Sequence, residues 1–397
     1  MNASWYAVKG PNGDLTWRVE TPASAVGATV HYIPDGKGWE KVFWPNTGKA
    51  FPWTIRGRYE DGTAAYVRTR KEWERATKEH QQLLDTKVDY PAQVGEAAVF
   101  TRPLAWLASH MMEMRSQGIR VTAEIDDFYL ANADQNIFTK KAAQKLKWSD
   151  YIDDHARSIC VGDGIIFSTD HLRDLYWKHL TKMFEKRLLP EMFVCRNHVD
   201  PRFIPDPLPE PQDNSSRLRI GYMGSDSHYW DVELIYPALK YAYDRGHEIV
   251  FVGINPRYSM IKPTEAEIRQ RQHWWDIEFT HIPWSNHFRG VTLPLDIAFA
   301  PLQVNTSSLG KSDIKWMEYA LSGAASIVQN CLVYNRTAEH GETALFASGP
   351  AEFVHRLQEL EADSALRRRL VENTRQYITE NRMIGNHKGE WEEAVYG

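Results

Sequence analysis

The sequence predicts an α/β protein in two lobes, each built on a mostly parallel sheet, and three observations carry that prediction. Short apolar, β-branched runs alternate with longer helical patterns, which is the sequence form of βαβ units. The runs fall into two series on either side of IPDPLPEPQDNSS at 204–216, where prolines, acids and serines break regular structure and mark a linker. A chain of 397 residues is also longer than one ordinary core organises, so two domains are expected, each burying its own apolar interior.

In the first series VGATVHYI (26–33), AAVF (97–100), RVTAEI (120–125) and GIIFS (164–168) are the expected strands, with helical patterns at 104–117 and 137–157. The Trp-, Pro- and Gly-rich stretch 34–63 is expected to be a long irregular excursion, of the kind that carries specificity. In the second series the strands are RIGYM (219–223), EIVFVG (248–253), DIAFA (296–300) and ASIVQ (325–329). A long, charged helical pattern runs from Ala351 to Val395. The expected domains are 1–205 and 217–380, followed by a C-terminal helical segment at 381–397.

Composition narrows the class. Hydrophobic residues make up 43% and charged residues 25%, the values of a globular chain, and no apolar run approaches the roughly 20 residues that a membrane span requires. The start, MNASWYAVKGPNGD, lacks the basic and apolar regions of a secretory signal. Three isolated cysteines, Cys160, Cys195 and Cys331, supply neither a disulfide framework nor a CxxC metal site. A reducing cytoplasm is the expected compartment. The net charge of −5 speaks against a protein that coats nucleic acid, while leaving room for a local basic face.

The stretch PLQVNTSSLGKSDIKWMEYALSGAASIVQN at 301–330 is the most informative. A polar, Gly-containing loop feeds a helix, and a short apolar strand follows at once. A helix starting near Ser312 puts Lys311, Lys315 and Glu318 at i, i+4 and i+7, a polar face beginning where backbone amides and the positive dipole end favour an anion. Such a face suits a diphosphate and a ribose; an ordinary amphipathic helix with Trp316, Tyr319, Ala320 and Gly323 inward reads equally well from the spacing.

This segment resembles the donor-binding motif of retaining glycosyltransferases with two Rossmann-like domains facing across a cleft, the GT-B fold of the family 4 type. There, E-x7-E followed by A-x-x-G holds a nucleotide sugar. Glu318 stands as the second acid, Ala320 to Gly323 as the small-residue ending, and Gly310 replaces the first acid. That departure implies a divergent branch. The blocks FTRPLAWLASHMMEMRSQGIRVTAEIDDFYL (100–130), GYMGSDSHYWDVELIYPALKYA (221–242) and LDIAFAPL (295–302) are similar to those of glycosyltransferases often carried by bacteriophages. The resemblance covers roughly 95–380. It implies a nucleoside-diphosphate sugar, preferably a UDP-sugar, as co-substrate on the second domain, an acceptor on the first, no required cofactor or metal, and a last helix crossing back to the first domain.

Site candidates follow from position, since ligands of open parallel sheets bind beyond the carboxyl ends of the strands. Asp126 and Asp127 follow RVTAEI and are candidates to orient acceptor hydroxyls or act as base; an N-cap role is the alternative. Gly221 and Gly224 with Ser225 form a candidate phosphate loop. Gly310, Lys311, Ser312 and Lys315 would meet the diphosphate from the other side, and Glu318 the ribose. By position in the resembling family, His281, Ile282 and Pro283 line the nucleobase slot, while Arg18, Pro22 and Ser24 face the sugar and acceptor. Arg102 follows a strand and is preferred to His110, which lies mid-helix. The basic stretches 68–80 and 139–148, the second with Lys140, Lys141, Lys145 and Lys147, suit either a solvated surface or a phosphate backbone. They favour hydroxymethylated pyrimidine in phage DNA as acceptor, with a virion protein or cell-surface glycan as the alternative. Rival classes are a nucleotide-sugar reductase or epimerase, for which Tyr236 and Lys240 give Y-x-x-x-K spacing, and a non-catalytic glycan-binding relative.

Overall fold

The computed structural model describes residues 3–8, 16–33, 55–58, 64–66, 95–103, 108–130, 148–211, 216–225, 228–257, 269, 271–282 and 295–397. The chain divides into two compact units, Met1–His198 with Ile384–Gly397, and Val199–Met383. The proline-rich stretch begins inside the second unit. Arg375 donates to the Pro209 carbonyl at 2.5 Å, and the Val199 amide donates to the Arg382 carbonyl at 2.7 Å, so the chain is held to the second unit at both points.

In the first unit the strands are β1 (Ala3–Val8), β2 (Thr29–Ile33), β3 (Ile55–Arg58), β4 (Ala64–Tyr66), β5 (Ala97–Thr101), β6 (Arg120–Ile125), β7 (Gly164–Phe167) and β8 (Glu191–Val194). Six of them form a parallel sheet in the order β2-β1-β5-β6-β7-β8. Its inner strands β5, β6 and β7 are buried on both faces, which is why AAVF and GIIF read as apolar runs rather than as alternation. Phe100, Val121, Ala123, Ile125 and Phe167 point into one core under the helices Ala108–Ser116, Trp148–Ile159 and Asp170–Met183. Trp5, Val99 and Ile166 point into the other, which Trp391 of the helix Lys388–Tyr396 completes. Within the expected irregular excursion at 34–63, Ile55–Arg58 is a strand that pairs antiparallel with β4; the rest of that stretch lies outside the described residues.

The second unit carries β9 (Arg219–Gly224), β10 (Glu248–Gly253), β11 (Thr280–Ile282), β12 (Ile297–Ala300), β13 (Ala325–Gln329) and β14 (Leu345–Ala347). They form a parallel sheet in the order β11-β10-β9-β12-β13-β14. The long C-terminal pattern resolves into three α-helices, with a 3-10 turn at Ile384–His387 ahead of the last. Pro350–Ala362 ends at Asp363, whose carboxylate caps Ser364–Asn381 through the Leu366 amide at 2.9 Å, and Lys388–Tyr396 closes the chain. No helix among the described residues is long and apolar enough to cross a membrane.

Candidate functional site

In the second sheet β9 has β10 on one side and β12 on the other, so the connections leaving β9 and β12 part at their carboxyl ends. This is the topological switch point, where an open α/β sheet leaves a crevice for ligands. The chain leaves β9 at the exposed Ser225, whose carbonyl accepts from the His228 amide at 3.1 Å. It leaves β12 along 301–305. The two connections are joined: Asp231 accepts the Gln303 amide at 2.7 Å, and the Gln303 side chain donates to the Trp230 carbonyl at 3.0 Å.

The helix Ile314–Leu321 stands against this point. Tyr319 reaches under both strand ends, donating to the Phe299 carbonyl at 2.8 Å and accepting the Met223 amide at 3.2 Å, while Trp316 Nε1 donates to the Thr343 carbonyl at 3.1 Å. With its inner face so held, the helix turns Lys315 toward the β9 connection. The Lys315 ammonium lies 3.0 Å from His228 Nε2 and 5.7 Å from the centre of the Tyr222 ring. His228 Nδ1 is 2.7 Å from Asp231 Oδ2. Burial, then the charges of Lys315 and Lys311, hold the imidazole down at about 4, with Asp231 pulling the other way. At neutral pH the ring is uncharged, its Nδ1 proton goes to Asp231, and Nε2 accepts from Lys315. The structure thus brings together Gly224, Ser225, Lys311 and Lys315. It adds His228 and Asp231, which the sequence reading passed over; the H-x-x-D spacing immediately after the loop was the available signal.

The expected start of the helix is corrected. A short helical turn, Thr306–Leu309, is capped by Asn305 and ends at the buried Gly310, and the next helix begins at Ile314 with Asp313 ahead of it. Lys311 and Ser312 therefore lie in the link between helices, and only Lys315 and Glu318 share a helix, one turn apart and both half-buried. The reason is Asp313. Its carboxylate is committed to Arg382 at 2.7 and 2.9 Å and to the Thr337 hydroxyl at 2.7 Å, which fixes the chain before the helix can start. Gly221 is also corrected. It sits within β9, where a Cβ would fall 1.7 Å from the Val250 carbonyl oxygen, so its role is close strand packing. A Cβ at Gly224 would meet the Tyr222 hydroxyl at 2.3 Å. His281 and Ile282 lie inside β11, at the sheet edge, with the His281 ring 3.1 Å from the Gly253 carbonyl; Pro283 lies outside the described residues.

In the first unit Arg102 and Asp126 meet. Arg102 follows β5, Asp126 follows β6, and the guanidinium forks onto both carboxylate oxygens, with Nε to Oδ1 at 2.7 Å. Arg102 is the one described non-glycine residue with positive φ, 52°, a backbone state rare for its type that the Asp126 pair and the bond from its amide to the Glu124 carbonyl at 2.8 Å maintain. Asp126 is thereby corrected from free base candidate to anchor of Arg102. No helix starts at Asp127, so the N-cap alternative does not hold; its carbonyl accepts from the Tyr176 hydroxyl at 3.2 Å.

Arg18 is corrected as well. It is 1% exposed, with Nε 2.5 Å from Glu124 Oε1, Nη1 2.7 Å from the Cys195 carbonyl, and its guanidinium 5.0 Å from the Trp391 ring centre. It holds together the core below β6 rather than facing an acceptor. Burial pushes the Glu124 carboxyl up to about 7 although Arg18 pulls it down, and Asp126 adds to the rise. Ser24 is exposed and Pro22 buried in the helix Thr21–Ala25. His110 lies in the helix Ala108–Ser116, and its side chain is outside the described part, as are Lys140, Lys141, Lys145, Lys147 and the stretch 68–80.

Two other groups do not form sites. The Tyr236 hydroxyl donates to the His273 carbonyl at 3.0 Å while Lys240 pairs with Asp244 at 2.5 Å, so the Y-x-x-x-K pair does not act together. His198, His387 and Glu390 come close enough for a metal ion. The two rings, however, stack with centres 4.0 Å apart and planes at 18°, which leaves their in-plane lone pairs side by side rather than converging, and Trp391 Nε1 donates to His198 Nδ1 at 3.3 Å.

No protein-family model and no curated protein matches the sequence. Solved structures do match the fold. HepE of Anabaena, crystallised with UDP-glucose, aligns at a TM-score of 0.60 with 10% identity over 99% of this chain and 98% of that one. The sucrose-phosphate synthase of Thermosynechococcus elongatus aligns at 0.58 with 13% identity over 99% and 98%. A trehalose-6-phosphate synthase, studied for glycosyltransfer with retention, aligns at 0.56 with 10% identity over 98% and 97%. With its two six-stranded parallel sheets, the chain has the two-domain α/β fold of the GT-B glycosyltransferases.

Proposed function

We propose that this protein is a glycosyltransferase that binds a UDP-sugar on the second unit and transfers the sugar to a hydroxyl acceptor held on the first. One observation carries the reading: Lys315 stands over the β9 connection beside His228, with Lys311 close enough to act on the same ring, at the switch point of a sheet whose solved counterpart in HepE was crystallised with UDP-glucose. Two lysines there neutralise a diphosphate and stabilise the charge that develops on it as the glycosidic bond breaks, without a metal ion being required. Glu318, one turn beyond Lys315, accepts the ribose hydroxyls. His281, Ile282 and Pro283 line the base.

Transfer proceeds with retention, as in the trehalose-6-phosphate synthase that shares the fold. The acceptor hydroxyl attacks on the face that the diphosphate leaves, the bond from the anomeric carbon to the phosphate oxygen breaks, and that oxygen takes the acceptor proton. Arg102, held by Asp126, orients the acceptor. The basic stretch at 139–148 supports hydroxymethylated pyrimidine in DNA as that acceptor, and Gly310 in place of the first acid, with the blocks at 100–130, 221–242 and 295–302, supports a place in a divergent, phage-carried branch.

The test is incubation with UDP-glucose, UDP-galactose and UDP-N-acetylglucosamine, with and without hydroxymethylated DNA, reading UDP release and the mass of the products. No UDP release from any donor, and no UDP binding at millimolar concentration, would end the transferase reading. Release without transfer to DNA would return the acceptor to proteins or glycans. Replacing Lys140, Lys141, Lys145 and Lys147 by Gln should weaken DNA binding and flatten its salt dependence while donor hydrolysis persists.

A further inference from the structure

A lysine side chain in a phosphate site has four rotatable bonds and loses much rotamer freedom when fixed, so something must hold it if it is to meet a diphosphate without that cost at the moment of binding. At Lys315 the partner is an imidazole. The groups around the His228 ring are Asp231 on its own turn, Lys311 and Lys315 from the link and helix after Gly310, and the uncharged Tyr222 ring from β9 at 6.3 Å. The Asp231 carboxylate is used twice, by His228 Nδ1 at 2.7 Å and by the Gln303 amide at 2.7 Å. It ties the ring to the connection leaving β12 and fixes which nitrogen carries the proton. The line of contacts runs from the Gln303 amide through Asp231 and His228 to Lys315.

We propose that His228 is a positioning residue for donor binding: it accepts one hydrogen bond of the Lys315 ammonium on Nε2 and so fixes that charge beside the Gly224–Ser225 turn before the diphosphate arrives. The proposal rests on the donor site being on the second unit. It also accounts for a histidine, rather than a carboxylate, against the lysine. A carboxylate would neutralise the charge the diphosphate needs, whereas a neutral imidazole orients the ammonium and leaves its charge whole.

The test exploits the two ends of the ring. Gln places an acceptor near the position of Nε2, and Asn places its amide near Nδ1. UDP titrated by calorimetry into the full-length protein should bind about tenfold more weakly to His228→Asn, which keeps the Asp231 contact and cannot reach Lys315, and His228→Gln should recover affinity to within about threefold of the wild type. In a Lys315→Met background, His228→Asn should cost nothing further, because the residue acts through the lysine. Thermal unfolding identifies variants that stay folded. Should His228→Asn fail to fold, Asp231→Asn loosens the same ring, and its expected loss of about threefold should likewise vanish when Lys315 is Met. Equal losses for Asn and Gln, or losses that add to that of Lys315→Met, would overturn the proposal while leaving the donor site standing. Absence of UDP binding by the wild type would remove the donor site and this proposal with it.

Discussion

Lys315 and His228 are 87 residues apart in the chain and 3.0 Å apart in the fold, ammonium nitrogen to ring nitrogen. One belongs to the helix before β13 and the other to the connection after β9, and Tyr319 holds that helix under the ends of β9 and β12. The pair converts two separate sequence motifs into one positively charged place at the point where a parallel sheet leaves room for a ligand.

Lys315→Ala should therefore weaken UDP and UDP-glucose alike, by about 2 kcal/mol, roughly thirtyfold in dissociation constant. Calorimetry on both ligands reads this directly. Wild-type affinity in a folded variant would reduce the motif to a surface helix.

Glu318→Gln should cost more than Glu318→Asp, because Asp keeps both charged acceptor oxygens while Gln gives up one, and the difference should be on the order of 1 kcal/mol in UDP affinity. The comparison is sharpest against UMP and uracil. Loss for UMP but not for uracil assigns the effect to the ribose side; a loss equal for both would rule out the ribose role.

Arg102→Lys should slow transfer roughly tenfold while leaving UDP affinity unchanged, since Lys cannot fork onto both Asp126 oxygens and both residues belong to the first unit. Asp126→Asn should behave in the same way. A parallel fall in UDP affinity would show that the pair supports the whole fold instead of the acceptor.

The Asp313–Arg382 pair, almost wholly buried, should be the most costly polar contact to break in the second unit, and Arg382→Met should lower stability by about 3–5 kcal/mol at pH 7. Burial alone would raise the Asp313 pKa; the Arg382 charge and hydrogen bond, with Thr337, outweigh it and leave the group below its ordinary value of 3.8. A lowered carboxylate stabilises above its unfolded pKa and loses that contribution as the pH falls through the folded one. Without Arg382 the burial effect prevails and the variant is penalised for keeping Asp313 charged. Urea unfolding should thus show a gap between wild type and variant that is widest at neutral pH and narrows below 3.8. A gap independent of pH would mean that lost packing, and not the ion pair, sets the cost.

Buried central strands were legible because they need apolar residues on both faces. RVTAEI, GIIFS, EIVFVG and ASIVQ fall on β6, β7, β10 and β13. The strands passed over are chiefly edges. β8, β11 and β14 have four, three and three residues, with one face less enclosed, so they carry little apolar signal. β1 is central, yet ASWYAV mixes Ser4 and bulky aromatics with a single β-branched residue. Among site residues, position beyond a strand singled out Arg102 and Asp126, which the fold pairs, and Ser225, but not His228 and Asp231.

Legible along the chain is whatever repeats locally: two series of strands and helices, the prolines that interrupt them, and the charged residues just past strand ends. Which of those charges meet depends on the fold. Arg18 reads as a loop arginine until Glu124, 106 residues on, draws it into the core. Asp126 reads as a free acid until Arg102 occupies both of its oxygens. Lys311, Lys315 and Glu318 read as one helical face until Arg382, 69 residues beyond Asp313, holds that aspartate and delays the helix. Periodicity is a property of neighbours along the chain, whereas the charge state and direction of a side chain depend on what the fold packs against it, and no spacing records that.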